Sequence, residues 1–312
     1  MNTYFVFILF FLFHCDAFWI PKPYISLLKN NENNYQNQLS NRKTLKKNKY
    51  TVVHNKENTV LRYDNITNYF YDNYLLKNKK VLNIYPGGIK GFYEMGICTF
   101  IKEHYDLKNI VFSGASSGAW NSLLLSYKGD ISHFKNIIFD INYDQNKSIY
   151  QLQQSLKNKL LKEFSNHDFD LKKLFIGVTV LEKLRFKTFI YTDFNSLEDA
   201  LNCIIASSNI PFITGKPFYF YKNKLSFDGG FRDDPFIHHP YHSIFIHPSL
   251  FNKYNILNDD DNNDNNNNHN NSHLIIEDNN FVVNNDKFLD LFVQGYKDAE
   301  KYQDIIKKKL NL

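Results

Sequence analysis

Two short apolar segments, Val81–Tyr85 and Ile110–Phe112, each run into glycines that open onto a helical pattern, and this pair confines the chain to few folds. Strand, turn and helix in that order, twice over, is the unit of a parallel α/β sheet. The first turn is Gly87-Gly88-Ile89-Lys90-Gly91 and the second is Gly114-Ala115-Ser116-Ser117-Gly118. The second spacing holds a serine hydroxyl on a sharp bend between strand and helix. Glycines at minus two and plus two frame Ser116, whereas Ser117 continues into the helix. Ser116 is therefore the expected nucleophile, and Ser117 a contributor of backbone structure.

The remaining pattern extends the same architecture. Helices are expected over Phe92–His104, Ser117–Tyr127 and Asn195–Ala206, and a final helix from Asp286 with Phe288, Leu289, Phe292, Tyr296 and Ala299 on its apolar side. Leu174–Leu181 and Phe186–Thr192 read as strands around a turn, and Ser243–Ile246 as another strand. Ile131–Lys172 is polar and helical in places, suited to packing over the sheet or forming part of a lid. Asn58–Tyr74 is aromatic-rich and is expected to pack as a short helix.

A chain of 312 residues with 43% hydrophobic and 17% aromatic content has the material for one substantial core. Its net charge of +5 is smaller than the excess within Phe18–Tyr50 alone, where seven basic residues face only Glu32. The rest is close to neutral, which argues against a nucleic-acid groove. Tyr4–Cys15 is an apolar run shorter than the roughly 20 residues of a membrane helix and reads as a secretory signal or signal anchor over 1–17. The basic Asn/Lys-rich leader 18–56 behind it resembles the two-part leaders that route proteins to a plastid-like organelle in some parasites. The secretory pathway, with such an organelle, a parasite vacuole or a membrane-associated compartment as destination, is the expected location. A catalytic domain is expected over 57–257, an Asn/Asp-rich low-complexity insertion over 258–285, and a C-terminal helix over 286–312 that packs on the domain. Cys98 and Cys203 read as buried small hydrophobes.

Ester hydrolysis by serine needs a positioned hydroxyl, a base, and donors aimed at the developing oxyanion. Asp228, followed by the permissive Gly229 and Gly230, reads as an exposed, backbone-positioned carboxylate and a candidate base. His238, His239, His242 and His247 also follow it, but without a recognisable metal motif. The Gly87–Gly91 turn supplies backbone N–H groups at a helix start, suited to an oxyanion or to a phosphate. Neither the full phosphate-loop sequence nor the dinucleotide fingerprint is present.

Together these residues resemble the patatin-like phospholipase family, with features of its triacylglycerol-lipase branch. The oxyanion loop matches at Gly87, Gly88, Lys90 and Gly91, the elbow at Gly114, Ser116 and Gly118, and the aspartate motif at Asp228, Gly229 and Gly230. Ala206-Ser207-Ser208-Asn209-Ile210-Pro211 and Gly295-Tyr296-Lys297-Asp298-Ala299 extend the likeness. The departure is Pro86, where the family places the first glycine of the loop; a proline has no N–H to offer. The resemblance implies a three-layer α/β/α domain with a mostly parallel central sheet. It also implies a Ser116–Asp228 dyad with no essential histidine, metal or cofactor, and an oxyanion hole from Gly87, Gly88 and Ile89, with Lys90 and Gly91 supporting the loop or a headgroup.

The activity so implied is calcium-independent cleavage of phospholipid or lysophospholipid esters through an acyl-enzyme. Triacylglycerol lipase, lipid acyltransferase and a catalytically impaired lipid-binding protein are the competing expectations. A lipid ester is the expected partner, with transient membrane-surface contact through the basic leader and Lys307–Lys309 and no nucleic acid. The oligomeric state is left open.

Overall fold

The computed structural model describes residues 54–55, 58–62, 76, 78–141, 148–232, 235–237, 243–251 and 285–310. The apolar N-terminal segment, the basic leader up to residue 53 and the low-complexity insertion up to residue 284 lie outside the described residues.

Strands β1 (His54–Asn55) and β2 (Asn58–Arg62) form a hairpin, and β3 (Lys80–Ile84) opens the parallel part of the sheet. A single 3-10 turn, Gly88–Lys90, leads into α1 (Gly91–His104), which returns the chain to β4 (Ile110–Gly114) and then α2 (Ser117–Ser126). Helices α3 (Ile131–Phe139) and α4 (Ile149–Glu163) follow. The Asp130 carboxylate accepts from the Ser132 amide, and the Ser148 hydroxyl from that of Gln151, which fixes where each begins. Next come β5 (Leu174–Glu182), β6 (Arg185–Thr192), α5 (Leu197–Ser207), β7 (Tyr219–Tyr221), β8 (Lys224–Phe227) and β9 (Ser243–Ile246). Two helices, α6 (Asn285–Lys301) and α7 (Gln303–Leu310), close the described chain.

The sheet order is β1-β2-β6-β5-β4-β3-β9, with β8 and β7 added beside the outer half of β5. Its centre, β9-β3-β4-β5, is parallel; the pairs to β6, β2, β1, β8 and β7 are antiparallel. Both faces are buried. Leu82, Ile84, Phe112 and Ile176 belong to the large core under α1, α2 and α5, and the alternate residues Val81, Val111, Phe175 and Ile190 join Leu76 and Ile237 on the other side. This is a three-layer α/β/α domain with a mixed sheet that is parallel at its centre.

Two expectations change here. Asn58–Arg62, expected to open a short helix, is a strand held between β1 and β6: Thr59 and Val60 are β-branched, and the pairing satisfies backbone groups of β6 that helix formation here would leave open. The C-terminal segment is two helices meeting at Tyr302, rather than one. α6 crosses α1 at a glycine pair. A Cβ on Gly96 would lie 2.1 Å from the Phe292 carbonyl oxygen, and one on Gly295 would lie 2.0 Å from that of Tyr93. The Tyr93 hydroxyl then donates to Asp298 at 2.7 Å, and Phe92 stacks on Phe288.

Candidate active site

Ser116 lies just past β4, as the residue before α2, with φ 54° and ψ −126°, a conformation that costs a non-glycine residue on the order of 1–3 kcal/mol and that the surroundings must hold in place. They do so closely. A Cβ on Gly118 would sit 2.1 Å from the Ile84 carbonyl oxygen, so only glycine lets the start of α2 press against β3. The Ser116 amide donates to Ser207 Oγ at 2.9 Å, and that hydroxyl donates to the Gly177 carbonyl at 2.6 Å, tying the bend to α5 and β5. The site therefore lies at the carboxyl ends of the parallel strands, where open α/β sheets place their ligands.

Asp228 follows β8 and begins a 3-10 turn over Gly229–Phe231. Its amide donates to the Asn209 carbonyl at 2.8 Å, and its Oδ1 accepts from the Gly230 amide at 2.7 Å. Gly229 lies so close to Gly177 and Ala115 that a Cβ there would be 2.3 Å from the first residue's carbonyl oxygen and 2.7 Å from the second's Cβ. That contact brings the aspartate beside the serine bend. Burial raises the carboxyl to about 6, against the opposing pull of the Ser116 hydroxyl and the Gly230 amide. Oδ2 is buried and has no hydrogen-bond partner among the described residues.

The glycine loop faces the same bend. Gly88 has φ +55°, and the Lys90 amide donates back to the Gly87 carbonyl at 3.0 Å. The Gly87 amide donates to Ser117 Oγ at 2.7 Å, so this N–H already has an acceptor. The amides of Gly88 and Ile89 have no protein acceptor among the described residues. Lys90 is half-buried and forms no ion pair among them, and Gly91 packs directly on Ser117. Pro86 contributes shape: its ring would touch a Cβ on Gly230 at 3.1 Å.

Under this loop sits Glu94, a residue the sequence pattern did not single out. Its carboxyl is fully buried, and a Cβ on Gly87 would lie 3.0 Å from Oε2. Burial pushes it well above the usual carboxylate range, against the opposing pull of the Ser117 hydroxyl. The available signal was an acid in the first turn of a helix otherwise apolar on that side. Ser207 and Asn209 lay in the quoted Ala206–Pro211 segment, but their tasks were not legible from it.

Of the four histidines, His247 is described; burial lowers it to about 4, and Nδ1 faces Ser249 Oγ at 3.0 Å. His238, His239 and His242 lie outside the described residues. No group of three metal-binding side chains occurs among the described residues. Cys98 and Cys203 are buried free thiols, and burial raises both.

A family model described as patatin-like phospholipase matches residues 87–241, a span that contains the loop, Ser116 and Asp228. Among solved structures, the crystal structure of VipD from Legionella pneumophila is similar at 14% identity and a TM-score of 0.35, covering 67% of this chain and 55% of that one. This chain thus spans about half the length of VipD. No curated protein matches.

Proposed function

The chain belongs to the patatin-like phospholipase family, whose general activity is lipid hydrolysis, and on that premise we propose that it cleaves carboxylic esters of phospholipids or lysophospholipids with Ser116 and Asp228. The observation that carries this reading is the meeting of a strained serine and a buried aspartate, from elements over a hundred residues apart, beside a loop with two unengaged amides.

Asp228, ionised above about pH 6, takes the Ser116 proton as Oγ attacks the ester carbonyl. The amides of Gly88 and Ile89 receive the developing oxyanion, while Gly87, held by Ser117, sets the position of the loop. The tetrahedral intermediate collapses when the leaving alkoxide takes the proton from Asp228, leaving an acyl-serine. A water molecule then gives its proton to the same carboxylate and attacks the acyl group, releasing fatty acid and returning the proton to Ser116 Oγ. In this scheme neither histidine nor calcium takes part, and Lys90, itself in the loop, meets an anionic headgroup.

The test is a substrate panel of phosphatidylcholine, lysophosphatidylcholine and triacylglycerol, run with chelator and with added acyl acceptor, on the parent and on Ser116→Ala. The expected result is fatty acid release from the phospholipids by the parent alone, undiminished by chelator. Release by both proteins, or by neither, overturns the reading. Preferential triacylglycerol cleavage, or acyl transfer to the acceptor, would replace it with the lipase or the acyltransferase.

A further inference from the structure

The outer half of β5 leaves the parallel core and, with β6, β8 and β7, forms a two-faced wing beside Asp228. The register assigns its faces. Thr179 pairs with Phe227, Leu181 with Phe186 and Leu225 with Phe220, and directly paired residues share a face, so these six lie together. The other face carries Val178, Val180, Phe189 and Tyr191 into the core. It ends in Glu182, which takes the ammonium groups of both Lys187 and Lys224 and so ties the two hairpins together.

The first face has an apolar run that grows more exposed with distance from the core. Phe227 is half-buried between Phe186 and Phe231 at 5.2 and 6.2 Å, whereas Phe220 is 64% exposed. Leu184 at the tip of the β5–β6 turn is 89% exposed, and Phe218, Phe212 and Phe231 are 51%, 55% and 41% exposed. Five large apolar side chains presented together on elements around one site are more than the scattered single exposures normal for a soluble surface.

The surrounding charge identifies the occupant. Lys183, Arg185, Lys216 and Arg232 are exposed and have no carboxylate in ion-pair reach among the described residues, while Glu182 and Asp199 are engaged by Lys187, Lys224 and Lys222. A second copy of the chain would set these cations against themselves. An anionic bilayer surface complements them, and its acyl region receives the aromatic tips.

We propose that this wing is the surface by which the protein docks on an anionic phospholipid bilayer, with Leu184, Phe218 and Phe220 entering the interface and Lys183 and Arg185 meeting headgroups. The inference rests on the reading of the site as a lipid hydrolase and gives its substrate a route: a lipid leaving the bilayer along the Phe220–Phe227 strip arrives beside Asp228. It places membrane contact on the catalytic wing, in addition to the basic leader and Lys307–Lys309 expected from sequence.

The experiment is vesicle sedimentation of the full chain carrying Ser116→Ala, so that binding is read without hydrolysis. Phosphatidylcholine vesicles with and without phosphatidylserine are compared for three proteins: this background, the background with Leu184→Asp and Phe220→Asp, and the background with Lys183→Glu and Arg185→Glu. Docking by the wing predicts that each pair weakens partitioning onto the anionic vesicles by about tenfold or more. In the Phe220→Trp protein, the fluorescence of the introduced indole should shift to the blue and be quenched by brominated acyl chains. The same pairs in the Ser116 parent should leave hydrolysis of a monomeric short-chain ester unchanged; absence of that activity in the unmodified parent would instead overturn the hydrolase reading. Unaltered sedimentation of both pairs, an unquenched introduced indole in vesicle-bound Phe220→Trp protein, or a change in self-association in place of vesicle binding overturns the docking proposal.

Discussion

The Gly87 amide donates to the Ser117 hydroxyl at 2.7 Å, joining the glycine loop to the first residue of the helix behind Ser116. The fully buried Glu94 carboxyl lies under the same contact. Loop and serine bend are therefore one braced unit, as the proposed oxyanion hole needs.

Removing the acceptor should loosen that unit without removing a reacting group. Ser117→Ala is expected to lower kcat by about tenfold, the worth of roughly one hydrogen bond, with KM little changed. Steady-state kinetics on a phospholipid substrate check this, and a loss as large as that of Ser116→Ala would show Ser117 to be part of the chemistry.

On the proposed mechanism the Asp228 carboxyl sets the acid limb of activity. Its value is raised to about 6, and the proposed base works only when ionised, so kcat/KM should rise with pH and level off above a midpoint near 6. A pH–rate profile with its acid limb near 4 would show that the working carboxyl is not held in this buried setting.

The same shift bears on stability. From an ordinary value of 3.8, burial raises the folded-state value to about 6. Between these pH values the folded protein holds a proton that the unfolded chain has lost, so stability falls as pH rises through that window and stays lowered above it. The difference is on the order of 3 kcal/mol. Asp228→Asn, which keeps an acceptor for the Gly230 amide, is expected to inactivate the protein and raise its Tm by several degrees at pH 8 but not at pH 4. Thermal melts at the two pH values decide it.

The α1–α6 crossing has no room for a methyl group on Gly295, where a Cβ would meet the Tyr93 carbonyl oxygen at 2.0 Å. Gly295→Ala should lower stability by about 2 kcal/mol or more, since backbone must move. Exposed Val293, two residues away, is the control: Val293→Ala should leave the melt nearly unchanged.

Much of this arrangement was legible from the chain because local signals agreed with one another. Gly114, Ser116 and Gly118 announced a bend, and the bend is forced by close approach to β3 and β4. The β5–β6 turn was readable from apolar runs on either side of Glu182–Arg185. The β7–β8 hairpin was not, since its strands of 3 and 4 residues are too short to set a pattern, and its turn residues Lys222 and Asn223 take positive φ without a glycine to mark them. Glu94 was hidden for a different reason. A buried acid looks like any surface acid in sequence, and its meaning comes only from the loop that packs over it. Asp228 read as exposed, yet it is buried, because Gly229 lets its turn sink against Gly177 and Ala115.

In the proposed mechanism Ser116 is a nucleophile made reactive by Asp228. Labelling with an ester-mimicking fluorophosphonate, followed by peptide mass spectrometry, tests it most directly in the parent, Ser116→Ala, Ser117→Ala and Asp228→Asn. A phosphonyl group is expected on Ser116 in the parent and, more slowly, in Ser117→Ala. No label is expected in Ser116→Ala, and a rate lowered by at least about a hundredfold in Asp228→Asn, as for a lost general base. Label on another serine, or undiminished labelling of Ser116 without the Asp228 carboxylate, would contradict this mechanism.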